Sequence, residues 1–376
     1  MKVPATLPFF SENDINYILE NFRKILKGDS FLSMSVHGES FEQLFSSYIG
    51  TKYGVACNSG TSALELICLS IDVDGKEVIL PSNTFLATAI AIIRAGGTPV
   101  FADCGNNMCL SSESVAKNIT KKTAAVIIVH IGGIVSESTI KIQEICRQND
   151  IPLIEDAAQA HGSSLNDTKA GAFGIAAGFS FFSTKVMTTG EGGMVTTDDF
   201  SLVQKMRSDR EFGKVKKGNY VNYHESFGYN WRMPEIAALL GIRQLQALSS
   251  FINRRQEIAK IYDAEFEGFR DITIVNPVQK DKHNYFKYII LLPNHDRAKV
   301  HIALQKNGIS PSGYVYEFPL HKLPLFPQYN DITFLNTEYM CTNHLCLPIF
   351  YMMSNEQAYY VASSLKKILG QRCPVK

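Results

Sequence analysis

The chain has 376 residues, 45% of them hydrophobic, and a formal net charge of +1. That length supports one large α/β domain and a smaller one. The near-neutral charge excludes a global field that would draw nucleic acid or a membrane surface.

No apolar run approaches the ~20 residues that span a bilayer. Met1-Lys2-Val3-Pro4-Ala5-Thr6 lacks the charged and apolar regions of a secretion signal, so a cytoplasmic protein is expected. The eight cysteines are scattered, none forms a CxxC pair, and Cys57, Cys68 and Cys346 lie in apolar runs. They read as buried reduced thiols, and no metal site is assigned.

From about residue 53, strand-like and helix-like runs alternate. Strands are expected at Tyr53–Cys57, Glu77–Leu80, Thr98–Ala102, Ala124–His130 and Pro152–Ile154. Between them, Ser62–Ser70, Leu86–Ala95 and Thr139–Asn149 carry helical periodicity. Continuous apolar strands separated by helices imply a mainly parallel sheet covered on both faces. A long Leu- and Ile-rich helix is expected from Pro234 through Ala247 towards Phe266, with a break near Ser249-Ser250. Beyond it, Tyr285–Leu292 and Ile309–Val315 read as strands of a separate α+β unit, closed by a helix over Asn355–Leu369. The expected division is a large domain over 1–250 and a small C-terminal domain over 251–376.

Five strings carry chemistry. Asn58-Ser59-Gly60-Thr61-Ser62-Ala63-Leu64 joins a strand to a helix, and its small residues let backbone N–H groups approach a phosphate at the helix N-terminus. Pro81-Ser82-Asn83-Thr84-Phe85 follows another strand, where Phe85 could cover a flat heteroaromatic ring. Asp156 ends a buried strand in the crevice where α/β sheets bind ligands, with Gln159 three residues on. Ser180 and Lys185 lie between an apolar strand and the Gly-rich Thr188-Thr189-Gly190-Glu191-Gly192-Gly193. Asn230 precedes the long helix. Each string alone also fits a turn, a cap or ordinary packing. An aspartate after one strand and a lysine after the next, however, meet the needs of pyridoxal phosphate (PLP). The lysine can form a Schiff base, and the aspartate can keep the pyridine nitrogen protonated. Desolvation would lower the lysine pKa, as a nucleophilic, proton-carrying amine requires.

Together the strings resemble the DegT/DnrJ/EryC1/StrS family of PLP-dependent nucleotide-sugar aminotransferases. The likeness begins at Gly38-Glu39-Ser40-Phe41-Glu42. It continues through Asn58–Leu64, Pro81–Thr88, Glu155–Gly162, Phe179–Gly193 and Tyr229–Gly241 to Gly308-Ile309, Pro319-Leu320-His321 and Leu347-Pro348. The resemblance implies an aspartate-aminotransferase-like fold (fold type I) and a homodimer with shared active sites. It makes Lys185 the Schiff-base lysine, Asp156 the partner of the pyridine nitrogen, and Phe85 and Gln159 neighbours of the ring. Gly60, Thr61, Ser62 and Ser180 become the phosphate cup, reached by Asn230 from the other subunit. Tyr316 and His321 fall in a segment similar to one that contacts substrate.

The implied reaction moves an amino group from L-glutamate to a nucleotide-linked keto sugar, with pyridoxamine phosphate (PMP) formed between the two halves. A 4-keto-6-deoxy hexose is favoured over a 3-keto sugar. A PLP/PMP-dependent sugar dehydratase or deoxygenase and a non-catalytic regulatory relative are the competing readings. Lys185 argues against dehydration, because some dehydrating relatives have histidine there. Val186, Gly174-Ile175 and the stretch Ile131–Val135 depart from the usual family pattern and leave the fine substrate geometry open.

Overall fold

A computed structural model describes residues 1–370. Residues 371–376, including Cys373 and the end of the expected 251–376 unit, lie outside the described residues. The chain opens with helices α1 (Glu12–Leu26) and α2 (Val36–Ile49). Ser11 caps α1 in a reciprocal pairing with Asp14, and α2 ends on Gly50 in the left-handed region (φ 98°).

Then follow β1 (Tyr53–Cys57), α3 (Gly60–Ser70), β2 (Glu77–Pro81), α4 (Leu86–Arg94), β3 (Thr98–Ala102), α5 (Ser112–Asn118), β4 (Thr123–Val129), α6 (Glu137–Gln148) and β5 (Leu153–Asp156). A small hairpin of β6 (Ser164–Leu165) and β7 (Thr168–Lys169) leads to β8 (Ala176–Ser180), β9 (Gly193–Thr197) and α7 (Phe200–Asp209). A hairpin of β10 (Lys214–Lys217) and β11 (Tyr220–His224) precedes α8 (Glu235–Phe266).

Seven strands form one sheet in the order β1-β9-β8-β5-β4-β2-β3. Only β9 runs against the others, being antiparallel to both β1 and β8. The sheet is therefore mostly parallel, as expected. Val78, Ile79, Leu80, Val126 and Ile127 are fully buried, because helices cover both faces and no polar side of a strand is needed.

The C-terminal part contains β12 (Thr273–Ile274), β13 (Tyr288–Leu291), α9 (Arg297–Lys306), α10 (Leu335–Asn343), β14 (His344–Leu347) and α11 (Asn355–Gly370). β12, β13 and β14 form a second, antiparallel sheet. The expected strand at Ile309–Val315 does not form. Pro311 interrupts it and Gly313 adopts φ +78°, so the segment makes scattered bonds to Val3, Ala5, Lys287, His344 and Cys346 in place of a strand ladder.

The expected break at Ser249-Ser250 is also absent, and α8 runs unbroken for 32 residues. Both serines are exposed, while Leu248, Phe251, Ile252, Ile258, Ala259 and Tyr262 keep a buried stripe at helical spacing across them. The first part of α8 packs with Phe41, Phe179 and Phe181, and the second with Tyr288 and Leu365. On that basis we propose keeping 1–250 and 251–376 as two units that share α8 as a spine.

Among the described residues, seven cysteines are buried and free. Among the described residues, no helix is long and apolar enough to cross a membrane.

Candidate active site

The ends of β5 and β8 lie side by side and point the same way, since the two strands pair in parallel with Asp156 opposite Gly178. Asp156 is the last residue of β5 and Ser180 the last of β8. The N-termini of α3 and α4 open beside them. Together these elements and the C-terminal part enclose a cavity of about 420 Å³. Gly60, Thr61, Phe85, Asp156, Gln159, Ser180, Lys185 and Tyr316 all line it. Residues from 60 to 316 thus meet in one space.

Lys185 sits in a loop that closes on itself. Phe181 N–H donates to the Gly192 carbonyl, Thr189 N–H and the Thr188 hydroxyl donate to the Phe181 carbonyl, and Lys185 N–H donates to the Phe182 carbonyl. Gly190 turns the loop at φ +82°. The Lys185 ammonium lies 5.0 Å from the centre of the Phe286 ring. Burial lowers its pKa from the usual value to about 8, against the opposing pull of the Asp156 charge and with help from Lys287.

Asp156 is 6% exposed. One carboxylate oxygen accepts a 2.7 Å hydrogen bond from Thr88 and the other a 3.2 Å bond from Ala158 N–H. Burial pushes its pKa up, while Thr88, Ala158 and Lys185 hold it down. A buried carboxylate that accepts two hydrogen bonds suits a cationic ring nitrogen, whose charge would offset the cost of its burial.

Gln159 is fixed from both sides. Its side-chain oxygen accepts from Gly132 N–H at 2.8 Å, and its amide donates to the Tyr316 hydroxyl at 2.7 Å. Tyr316 reaches across to Phe85, ring centre to ring centre 5.7 Å. Phe85 is 59% exposed, an apolar ring left open to the cavity.

The expected phosphate cup turns on its glycine. A Cβ built on Gly60 would lie 2.6 Å from the Ser180 Cβ and 3.2 Å from its hydroxyl oxygen. Only glycine lets the α3 N-terminus approach Ser180 this closely, and a helix N-terminus beside a hydroxyl is a phosphate-binding arrangement. These residues fit PLP: a cup for the phosphate, a carboxylate for the ring nitrogen and a lysine for the carbonyl carbon.

Three expected site residues stand elsewhere. Ser62 does not line the cavity, because its hydroxyl bonds Asn58 and Ser59 and its N–H is capped by Ser59. His321 is fully buried, with one ring nitrogen 2.6 Å from the Ser82 hydroxyl and the other 3.0 Å from Glu338, so neither faces the cavity. It holds the loop after β2 against the C-terminal part. Asn230 is exposed and lies outside the cavity of its own chain.

Thr88, Phe286, Lys287 and Tyr314 belong to the site and were not singled out from the sequence. A lone lysine inside the apolar run Tyr285–Ile289 was the signal available for Lys287.

Residues 13–366 match the sequence model of the DegT/DnrJ/EryC1/StrS aminotransferase family. The chain belongs to this family. The aminotransferase is 32% identical to the GDP-perosamine synthase of Escherichia coli O157:H7, over 98% of this chain and 99% of the relative. It is 29% identical to the UDP-4-amino-4,6-dideoxy-N-acetyl-beta-L-altrosamine transaminase of Helicobacter pylori, over 96% of each chain. Its fold superposes on the crystal structure of NtdA from Bacillus subtilis, which holds bound PMP, with a TM-score of 0.88 and 25% identity over 98% of this chain and 86% of that one. Lys185, Asp156 and the Gly60–Ser180 cup therefore stand in an aminotransferase of fold type I.

Proposed function

We propose that this aminotransferase uses PLP to move an amino group from L-glutamate to a nucleotide-linked 4-keto-6-deoxy hexose, with a 3-keto sugar the less favoured acceptor. The observation that carries the reading is Lys185, with its lowered pKa, sharing one cavity with the buried, hydrogen-bonded Asp156. The acceptor class is supported by the names of the GDP-perosamine synthase and the 4-amino-4,6-dideoxy sugar transaminase.

When bound, PLP supplies an electron sink for charge that develops on the carbon being aminated or deaminated. Gly60, Thr61 and Ser180 would hold its phosphate, Asp156 would keep a proton on its ring nitrogen, and Phe85 and Gln159 would pack against its ring. Ser62 supports the cup by ordering Asn58 and Ser59 rather than by direct contact.

The Lys185 amine, once displaced by the donor, takes a proton from the donor's α-carbon. In the second half it moves a proton to the sugar carbon that receives the nitrogen. One amine serves both directions because its pKa near 8 lets it give and accept protons close to neutrality. Tyr316, tied to Gln159 and lying against Phe85, shapes the sugar side of the cavity.

Asn230, exposed and not among the residues that line its own cavity, suits a contact with the phosphate bound by a second subunit. We therefore propose a homodimer with shared sites.

The test is an absorption spectrum of the purified protein with PLP, before and after L-glutamate. A visible band of lysine-bound PLP that gives way to a near-ultraviolet PMP band is the expected result, abolished in Lys185→Ala. PLP bound without any response to glutamate would overturn the donor, and no PLP binding would overturn the whole reading.

A further inference from the structure

The cavity contains a second lysine. Lys287 follows Phe286 immediately before β13 and lines the same space as Lys185. Its ammonium and that of Lys185 each lie 5.0 Å from the centre of the Phe286 ring. The two nitrogens are therefore within twice that distance of one another. Lys287 donates one hydrogen bond, 2.6 Å long, to the Ser312 carbonyl. An ammonium has three donors, so two are without a protein acceptor among the described residues. Among the described residues Lys287 forms no ion pair, and burial lowers its pKa.

A desolvated ammonium with no counter-ion is costly, and a cation–ring contact offsets only part of that cost. An incoming anion would complete the site. The position of Lys185 says which anion. In an amino acid, the α-carboxylate is bonded directly to the carbon that Lys185 must deprotonate. In a nucleotide sugar, the phosphates lie on the far side of a hexose ring from a reacting C4. A cation that shares the Phe286 ring and the cavity with the reacting amine is thus placed for the carboxylate.

We propose that Lys287 binds the α-carboxylate of the amino-acid donor and orients its α-carbon towards Lys185. This rests on the aminotransferase reading above and adds the donor-recognition residue to it. Phe286 is the spacer that keeps the two ammoniums on one ring, and Ser312 fixes the stem of Lys287.

The experiment compares the PLP-loaded wild type, Lys287→Met and Lys287→Arg in two measurements. In the first, the visible band is followed in rapid mixing with L-glutamate and, separately, with 2-aminopropanol, an amine without a carboxylate. The expected result is a tenfold or greater fall in the rate constant for glutamate relative to 2-aminopropanol in Lys287→Met, with at least partial recovery in Lys287→Arg. In the second, glutarate binding is measured by calorimetry on the same proteins, with weaker binding expected for Lys287→Met.

Equal losses for glutamate and 2-aminopropanol, or glutarate bound equally by wild type and Lys287→Met, would overturn the proposal. Failure of the wild type to respond to glutamate would instead count against glutamate as donor. The glutarate measurement then decides the role of Lys287 on its own, since it requires no reaction.

Discussion

Thr88 donates its hydroxyl proton to Asp156 across 2.7 Å, and Thr84 lies 2.9 Å from the same hydroxyl. Since the Thr88 proton points at the carboxylate, Thr84 must be the donor to Thr88. The two threonines form a short chain that feeds one hydrogen bond into a buried charge. Thr88→Val keeps the shape and removes the bond. A hydrogen bond to a charged group contributes about 1.5–3 kcal/mol, so the Asp156 pKa should rise further and turnover should fall roughly 10- to 100-fold. Thr88→Ser should retain most activity. Steady-state rates of the two variants check this, and equal losses would mean that the threonine methyl group matters more than its hydroxyl.

The lowered pKa of Lys185 sets a pH dependence for cofactor capture. Burial disfavours the ammonium, and the neutral amine is the nucleophile. The rate of PLP capture by cofactor-free protein should therefore rise with pH and level off above about 8. Below that it should fall roughly tenfold per pH unit. Stopped-flow measurement of the visible band across pH 6–10 gives the midpoint. A midpoint near the ordinary lysine value would show that the amine is solvated before PLP arrives.

The contact between Gly60 and Ser180 makes a third prediction. A methyl group at position 60 would stand 2.6 Å from the Ser180 Cβ, so α3 or β8 must move. Such overpacking costs about 1–3 kcal/mol. The movement opens the cup where the phosphate would sit, so Gly60→Ala should raise the Kd for PLP about tenfold or more. Spectrophotometric titration measures it. Unchanged affinity would place the phosphate elsewhere.

Most of the sheet and the centre of the site were legible because both are written in local patterns. The strands from β1 to β5 are apolar runs, Asp156 closes one of them, and Lys185 comes five residues after the end of β8. The errors arose where distant packing outweighed local composition. Ser249 and Ser250 look like a break, yet Leu248 and Phe251 on either side are held in buried clusters, and a helix with such a stripe tolerates two exposed serines. His321 looks like a substrate contact in sequence, but Ser82, 239 residues away, and Glu338 take both its ring nitrogens. Phe286 and Lys287 acquire meaning only once the C-terminal part lies over the sheet, and Thr88 only once α4 stands beside the end of β5; no local pattern encodes either approach.

Asn230 leads to the last prediction. It stands outside the cavity of its own chain, so if it serves a site, that site is on another subunit. Lys185→Ala and Asn230→Ala should each be inactive or severely impaired as pure proteins. Mixed and reassembled, they form heterodimers in which one site carries both substitutions and the other carries neither. Random pairing should then restore about a quarter of the wild-type activity. Turnover after co-refolding or co-expression provides the reading. No recovery, with heterodimers present, would show that Lys185 and Asn230 do not meet across a subunit boundary. Full activity of Asn230→Ala alone would remove the residue from the site altogether.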